Sequence, residues 1–548
     1  MGTETIDVDL CSIQESRNLA RKGAVAAEKI SAYSHDQIDR ILQSMVEIIE
    51  ENAFYLAELA VEETGFGKVE DKAYKNHMAA KLLYDEIKDQ KTTGIISSNK
   101  ELKTFSVAEP IGLILGVTPS TNPTSTIIYK SMIAIKARNA IVFGPHPAAK
   151  RCCYETAQLL CKAAVAAGAP EDIIGCVSQP SLAATNELMH AKEVGLIIAT
   201  GGPGMVKSAY SVGKPAIGVG AGNSPAYIEK TADVHKAVAD IVASKTFDNG
   251  TICASEQSVI CEEGNMEEVV REFIAQGGYF MSEDETNKVC ALLFKNGGHA
   301  MSAKYVGRAA AEIAHDAGIS VPAGTKLLIG RQDGVGEGNP LSYEKLTTVL
   351  AFYVVKDWEE ACHLSISLLQ NGIGHTMSLH TNDPEMIFRF AMKPASRILI
   401  NTGGTQGGTG LSTGLPIAFT LGCGTDGGSS VSENVGPKHL MNLKTVAYGL
   451  KDLSTLVQND QVFQSLPRSS KAVTTVTPLA KDYFAASEKQ TSCTTAADCK
   501  SISILEESPQ EIQEKFENGA ANQAQPITTT SSASEDIVRA VLGSLQNK

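Results

Sequence analysis

Net positive charge is what this sequence has least of. Its 548 residues carry 48 Lys and Arg against 62 Asp and Glu, a formal charge of −14. A nucleic acid or an anionic membrane surface needs a basic footprint that this balance does not supply. No apolar run approaches the roughly 20 residues that a bilayer-spanning helix requires. Residues 1–10 hold acidic side chains and have neither the basic head nor the apolar centre of a secretory signal. CxxC pairs are missing, and so is HExxH, so no zinc site is expected and the metal content is read as none. The twelve cysteines follow no regular spacing, which fits reduced thiols in a cytoplasmic protein better than a disulfide framework. What these absences leave is an acidic soluble chain of enzyme size, too long for one core and expected to hold two or more domains.

Ser12 with Glu15, and Ser34 with Gln37, have the spacing of capping boxes. The first stands ahead of an Ala-rich stretch to about Ile30. The second precedes Ile38, Ile41, Leu42, Met45, Ile48 and Ile49 at helical spacing, a pattern that runs on to Gly65. The first hundred residues thus read as a helical outer layer. After Pro110 short apolar runs bounded by Gly and Pro take over, at 111–117, 140–143, 196–199 and 226–228, with Ala-rich helical segments between them. That rhythm predicts a parallel sheet covered on both faces. A second series, at 258–260, 327–329, 349–355 and 397–401, predicts another α/β unit beginning near Thr246.

Three local features bear on chemistry. Residues 247–257 read Phe-Asp-Asn-Gly-Thr-Ile-Cys-Ala-Ser-Glu-Gln, a Gly-containing turn ahead of small residues. Such a turn leaves Cys253 reachable and aims backbone N–H groups at an oxyanion. Most cysteines are inert buried apolar residues, so the stretch alone decides nothing. Residues 196–206 read as a strand running into Thr200-Gly201-Gly202 and a helix that opens with Pro203. This is either a seat for a pyrophosphate or a plain structural turn. The one literal GxGxxG, at 422–427, has no strand leading in and no clear helix leaving, and fails as a dinucleotide fingerprint.

Val117-Thr118-Pro119-Ser120-Thr121-Asn122-Pro123, Phe143-Gly144-Pro145-His146-Pro147, Thr200-Gly201-Gly202, Gly220-Ala221-Gly222-Asn223 and the Cys253 segment stand in this order. They resemble the successive motifs of the aldehyde dehydrogenase superfamily. Together with Asn371-Gly372-Ile373-Gly374-His375-Thr376 and the segment 421–440, the likeness is to its CoA-acylating branch. That branch includes acetaldehyde and propionaldehyde dehydrogenases and the N-terminal half of bifunctional aldehyde-alcohol dehydrogenases. The resemblance runs from about residue 12 to 450, and the mostly polar residues beyond it do not resemble an iron-dependent alcohol dehydrogenase half.

The resemblance implies that Cys253 attacks a small aldehyde as thiolate to give a thiohemiacetal. Hydride then passes to NAD, and coenzyme A as co-substrate carries off the thioester as acyl-CoA. Asn122 and the Cys253 N–H are implied as oxyanion donors, although an Asn in a Pro-rich turn is by default an Asx-turn residue. Thr118, Pro119, Thr200, Gly201, Gly202 and Gly220 are implied as cofactor-binding residues, and Glu344 as the acceptor for the nicotinamide ribose. His375 is implied as an acid/base helper for CoA or as an oriented loop histidine.

Where hydrolytic members have Glu-Leu-Gly-Gly, this chain has Val219-Gly220-Ala221-Gly222, with no carboxylate to activate water. A thioester then waits for a thiol, so acyl-CoA is expected rather than free acid. Gly144-Pro145-His146-Pro147 replaces the Lys-Pro-Ser-Glu run that meets the adenosine ribose. This implies a looser grip that takes NAD and CoA in turn, with His146 or Lys150 near a phosphate. NAD is read ahead of NADP, although the Glu that would repel a 2′-phosphate is missing. Acetaldehyde or propionaldehyde is the expected substrate. Arg397 offers two other readings, a contact for an anionic aldehyde such as a sulfonate or a surface ion-pair residue.

The fold expected is α/β and aldehyde dehydrogenase-like, with two Rossmann-like parallel-sheet domains, oligomerisation elements and a flexible C-terminal tail. Residues 1–245, with a return segment 432–460, would be the NAD/CoA-binding domain, and 246–431 the catalytic domain. Residues 461–516 are an unassigned extension. Residues 517–534 read as a polar low-complexity linker. Beyond it, Ile537, Val538, Val541, Leu542 and Leu545 share one helical face behind Glu535 and Asp536. So short a helix is marginal alone. The 535–548 segment resembles the encapsulation peptides that dock enzymes to a bacterial microcompartment shell protein, the alternative being a helix that packs on its own domain or in an oligomer. A homodimer or homotetramer inside such a compartment is expected. A hydrolytic aldehyde dehydrogenase and a non-catalytic cargo or scaffold protein are the competing readings.

Overall fold

The Ile and Leu repeat after Ser34 folds as the long helix its spacing predicts. In a computed structural model that describes residues 7–295, 300–466 and 468, helices α1 (Val8–Ile30) and α2 (His35–Thr64) are followed by α3 (Val69–His77). A π-helical turn at Met78–Leu82 then leads into α4 (Leu83–Ile87). α2 begins in a complete capping box of Ser34 and Gln37 and stops at Gly65, whose φ of 70° a glycine adopts freely. Its buried face of Ile38, Ile41, Leu42, Met45, Ile49 and Leu56 joins one core with the first parallel sheet. The Ser12–Glu15 box does not form. α1 begins at Val8, so both residues lie within it, and Ser12 Oγ donates to Gln179 O while Glu15 Oε1 accepts from Ser178 N at 3.0 Å. A neighbouring loop with unpaired backbone groups outcompetes the local cap.

β1 (Gly94–Asn99) and β2 (Thr104–Pro110) pair antiparallel. Five strands then build an all-parallel sheet: β3 (Leu113–Thr118), β4 (Ala140–Pro145), β5 (Ile174–Cys176), β6 (Val194–Thr200) and β7 (Ala216–Val219), in the order β5-β4-β3-β6-β7. Helices α5 (Pro123–Lys136), α6 (Lys150–Ala166), α7 (Leu182–His190) and α8 (Pro203–Ser211) lie between the strands in the chain. Both faces are covered, which is why these strands are continuous apolar runs rather than alternating ones. The strand order reverses between β3 and β6, and the carboxyl ends of strands at such a switch point frame a ligand crevice.

The seven-stranded sheet holds β8 (Ser224–Ile228), β9 (Glu256–Glu262) and β10 (Gly278–Met281). A short ribbon of β11 (Phe294–Lys295) and β12 (Ala300–Met301) comes next in the chain. The sheet is completed by β13 (Leu327–Arg331), β14 (Val349–Val355), β15 (Gly374–His380) and β16 (Ala395–Ile400). Its order is β10-β13-β14-β9-β8-β15-β16, with parallel pairings throughout. The second strand series therefore starts at β8, earlier than Thr246. The chain changes sheets within the glycine segment at 220–223, and the Ala-rich helix α9 (Val234–Thr246) packs on the second sheet, so composition gave no break there. β17 (Met441–Ala447) runs antiparallel to β2, and on the way to it Val435 and Leu440 rejoin the core of the first sheet. The expected linker at 517–534 and helix at 535–548 lie outside the described residues, as does most of 461–516. Among the described residues no helix is long and apolar enough to cross a membrane.

Candidate active site

A cavity of about 650 Å³ opens where the carboxyl ends of β3 and β6 face the turn before β9. Thr118 and Pro119 line it at the end of β3, with Asn122 just beyond. His146 follows β4, Thr200, Gly201 and Gly202 follow β6, Gly220 follows β7, and Cys253 and Glu344 complete the wall. Residues scattered over more than two hundred positions thus meet in one crevice, whose lining omits His375, Lys150 and Arg397 of the residues singled out in the sequence. A Cβ added at Gly202 or Gly220 would meet nothing within 4 Å, so these glycines keep the crevice clear rather than serve packing. Gly202 caps α8 ahead of Pro203 at the first helical position, and Thr200 Oγ1 is buried with no hydrogen-bond partner. A helix N-terminus with glycines before it and an unpaired hydroxyl beside it fits the pyrophosphate and ribose of a dinucleotide.

Cys253 sits in the turn that ends where β9 begins. Ahead of it Asp248, Asn249 and Gly250 are all left-handed, with φ of 47°, 52° and 73°. Asp and Asn tolerate that region better than other side chains. At Gly250 the constraint is absolute, because a Cβ would stand 2.8 Å from Thr347 O. Gly222 presses on the same turn from the other side, where a Cβ would lie 2.0 Å from Cys253 O. Cys253 is half-buried. Burial pushes its thiol up to about 12, Glu344 adds to the rise, and Arg397 opposes it. The resting sulfur is therefore held as a thiol, and burial is what a sequence does not display.

His375 is fully buried in β15 and points Nε2 at Cys253 Sγ, 3.2 Å away. Its Nδ1 lies 2.8 Å from Thr376 Oγ1, which also accepts from Arg397 Nε at 3.2 Å. That hydroxyl accepts from Arg397 and keeps its own proton to donate, so in either tautomer it orients the imidazole through Nδ1 and aims Nε2 at the sulfur. Burial first and Arg397 second hold the imidazole well below its usual range, so it is neutral. Arg397 answers to neither sequence reading. It is only 4% exposed, and its guanidinium donates to His375 O at 3.1 Å, Gly422 O at 2.6 Å and Asn434 Oδ1 at 3.3 Å. It braces the site from behind and does not line the cavity. Its place in β16 was the available signal, since a charge in a covered strand must find interior partners.

Asn122 occupies the N-cap position of α5 without making a capping bond. Its Nδ2 donates instead to Thr251 O at 3.0 Å, which ties it to the nucleophile turn rather than to an Asx-turn. Glu344 Oε1 accepts from Gly222 N at 2.9 Å, and burial pushes this carboxyl up to about 7. Val219 ends β7 and is buried, and Glu344 is the only carboxylate in the cavity lining. His146 stands exposed at the rim, its Nδ1 accepting from Ala148 N at 3.1 Å, while Lys150 Nζ donates to Gln179 Oε1 at 2.9 Å. The wall also includes Thr126, Ile252, Thr409, Ala418, Phe419 and Leu421, and among the described residues it contains no Lys or Arg. Among the described residues no cluster of His, Cys, Asp or Glu could hold a metal ion.

Residues 2–315 match the aldehyde dehydrogenase family. The bifunctional aldehyde-alcohol dehydrogenase AdhE of Escherichia coli K12 is 47% identical over 443 residues, which cover 80% of this chain and 50% of that protein. This chain thus spans about half the length of the first curated relatives it matches. The crystal structure of an acetylating aldehyde dehydrogenase from Geobacillus thermoglucosidasius superposes with a TM-score of 0.80 at 48% identity, over 82% of this chain and 99% of that one. A propionaldehyde dehydrogenase from the Clostridium phytofermentans fucose utilisation bacterial microcompartment gives 0.72 at 27% identity, over 79% and 97%. Ordered motifs, strand order and overall likeness agree, and the chain belongs to the aldehyde dehydrogenase family.

Proposed function

We propose that this protein is a CoA-acylating aldehyde dehydrogenase that converts a small uncharged aldehyde, NAD and CoA to acyl-CoA and NADH. The observation that carries the reading is the 3.2 Å contact between Cys253 Sγ and Nε2 of a neutral His375. As sulfur bonds to the carbonyl carbon, its proton passes to Nε2, so no standing thiolate is needed. Asn122 Nδ2 and the Cys253 N–H receive the oxyanion. Bound NAD supplies the hydride acceptor, and loss of hydride leaves a thioester on Cys253 while His375 gives its proton to solvent. The thiol of CoA then attacks the thioester and gives its proton to His375, which returns it to the departing Cys253 sulfur.

Water is the competing nucleophile, and the buried Val219 gives it no base. Glu344, already bonded to Gly222 N, keeps its other oxygen for a ribose hydroxyl, and Thr118, Pro119, Thr200, Gly201, Gly202 and Gly220 would hold the dinucleotide with His146 at its outer end. A lining without Lys or Arg favours NAD over a cofactor with a further phosphate, and favours acetaldehyde or propionaldehyde over an anionic aldehyde. In this reading the five-stranded sheet forms the cofactor domain and the seven-stranded sheet the catalytic one. Assembly as a homodimer or homotetramer, and docking of 535–548 to a microcompartment shell protein, complete the proposal. The apolar face of that segment and the compartment named for one solved relative support the docking. The test is NADH formation from acetaldehyde and propionaldehyde with and without CoA, with products identified by mass spectrometry. CoA-dependent acyl-CoA is expected. Free acid made without CoA would establish the hydrolytic reading, and no turnover with either aldehyde would favour a cargo or scaffold role.

A further inference from the structure

Asn122 makes no capping bond to its own helix, so something else fixes its side chain. Its Oδ1 accepts from Lys75 Nζ at 2.5 Å, while Nδ2 donates to Thr251 O at 3.0 Å and to the hydroxyl of the adjacent Thr121 at 3.3 Å. An ammonium only donates. The atom against Lys75 must therefore be the amide oxygen, and the nitrogen is left facing the nucleophile turn. Lys75 belongs to α3, in the helical layer that otherwise contributes nothing to the cavity, and is 1% exposed. A buried ammonium needs a partner, and here it is Asp248, also fully buried. Asp248 Oδ2 accepts in addition from Lys72 Nζ at 2.9 Å and from Thr251 Oγ1 at 2.6 Å, and its Oδ1 accepts from Lys68 N at 2.7 Å. Asp248 is also the first of the three left-handed residues that lead to Cys253. One buried ion cluster thus touches both the Asn122 amide and the turn that presents the Cys253 N–H.

We propose that Lys75 is a positioning residue for the oxyanion site: it holds the Asn122 amide with Nδ2 toward the nucleophile turn, where the oxyanion takes over the longer contact to Thr121 Oγ1, and, through Asp248, locks that amide to the turn. The proposal rests on the acyl-transfer reading above. Lys72 shares Asp248 and donates to Thr121 O at 3.0 Å, so the cluster's tie between α3 and the turn does not depend on Lys75 alone. Two measurements on the full chain separate orientation from scaffolding. The first is aldehyde turnover in a cycle of Lys75→Met, Asn122→Ala and the double variant. The second is the rate at which iodoacetamide alkylates Cys253, a displacement that builds no oxyanion.

Lys75→Met should lower kcat/KM for the aldehyde about 100-fold, the usual loss for an oxyanion donor, with the alkylation rate and the KM for NAD unchanged. In the Asn122→Ala background it should cost nothing further. Losses that multiply, or alkylation that falls in step with turnover, would overturn the proposal. If Lys75→Met does not fold, Lys75→Gln takes its place in the same cycle, because an amide no longer dictates which Asn122 atom faces it. A wild type without turnover would count against the functional reading itself, whereas an active wild type with multiplying losses counts against the role of Lys75 alone.

Discussion

Cys253 and His375 share one proton, and burial decides where it rests. The thiol is pushed up to about 12 and the imidazole is driven far down, so at neutral pH the proton stays on sulfur and the imidazole stays neutral. That sign has two consequences. Alkylation of Cys253 by iodoacetamide should keep accelerating up to about pH 9, because the thiolate fraction is still growing there; a plateau below neutrality would show a low-pKa ion pair instead. His375→Ala should lower kcat by about 10² to 10⁴, the range for a lost general base. Glu344 gives a different profile. Its carboxyl, raised by burial to about 7, is ionised above that pH and protonated below it. The KM for NAD should rise as pH falls through about 7, and Glu344→Gln should flatten that dependence while raising KM at pH 8. The same shift acts on stability: a raised folded pKa favours the fold below the unfolded value and loses that advantage as pH climbs through 7. Identities at this scale were legible because Cys253, Asn122 and Glu344 stand in ordered motifs. Protonation states were not, since burial sets them. Lys75 carries no motif, and the inward face of Arg397 is a property of the strand rather than of the residue.

Elements act on the site through close approaches that only glycine allows. The loop at 220–223 must pass against the nucleophile turn, and Gly222 is where the two backbones meet. Gly222→Ala places a methyl 2.0 Å from Cys253 O, so one loop must move. Both the melting temperature and turnover should fall, with the loss in kcat at least about 100-fold, as expected for a misplaced reacting group. Gly220→Ala is the contrast. Its methyl projects into open space at the cofactor crevice, so the melting temperature should hold while the KM for NAD rises. Kinetics and thermal melts on the two variants decide whether the segment acts by packing or by clearance. The Ser34 helix and the crevice strands β3, β4 and β6 could be read from spacing. β15 was missed because its sequence, Gly-His-Thr-Met-Ser-Leu-His, is mostly polar yet wholly buried, with Met377 and Leu379 in the core while His375 and Thr376 serve the site. The Ser12–Glu15 pair misled for a related reason, since a tertiary partner took the groups a local cap would have used.

At the scale of the whole chain, length predicted more than one core and the rhythm of strands predicted parallel sheets, while the exchange of β8 between series was hidden because no composition change marks it. Every side chain placed in the site, from Lys72 to Asn434, lies in the compact unit that ends at Gln461. The resemblance also stops near 450, and the residues beyond that point are mostly polar until the apolar face of 535–545. Catalysis and the tail are therefore expected to separate. A chain ending at Gln461 should keep the kcat, KM values and melting temperature of the full protein. The full protein, and a soluble reporter fused to residues 517–548, should be retained by immobilised microcompartment shell protein, and the shortened chain should not. If shortening the chain instead abolishes turnover or dissociates an oligomer, the tail works on its own enzyme, as an amphipathic helix usually does when an apolar surface is near. If the shortened chain is active and the reporter passes through unretained, the apolar face must be assigned to a partner other than a shell.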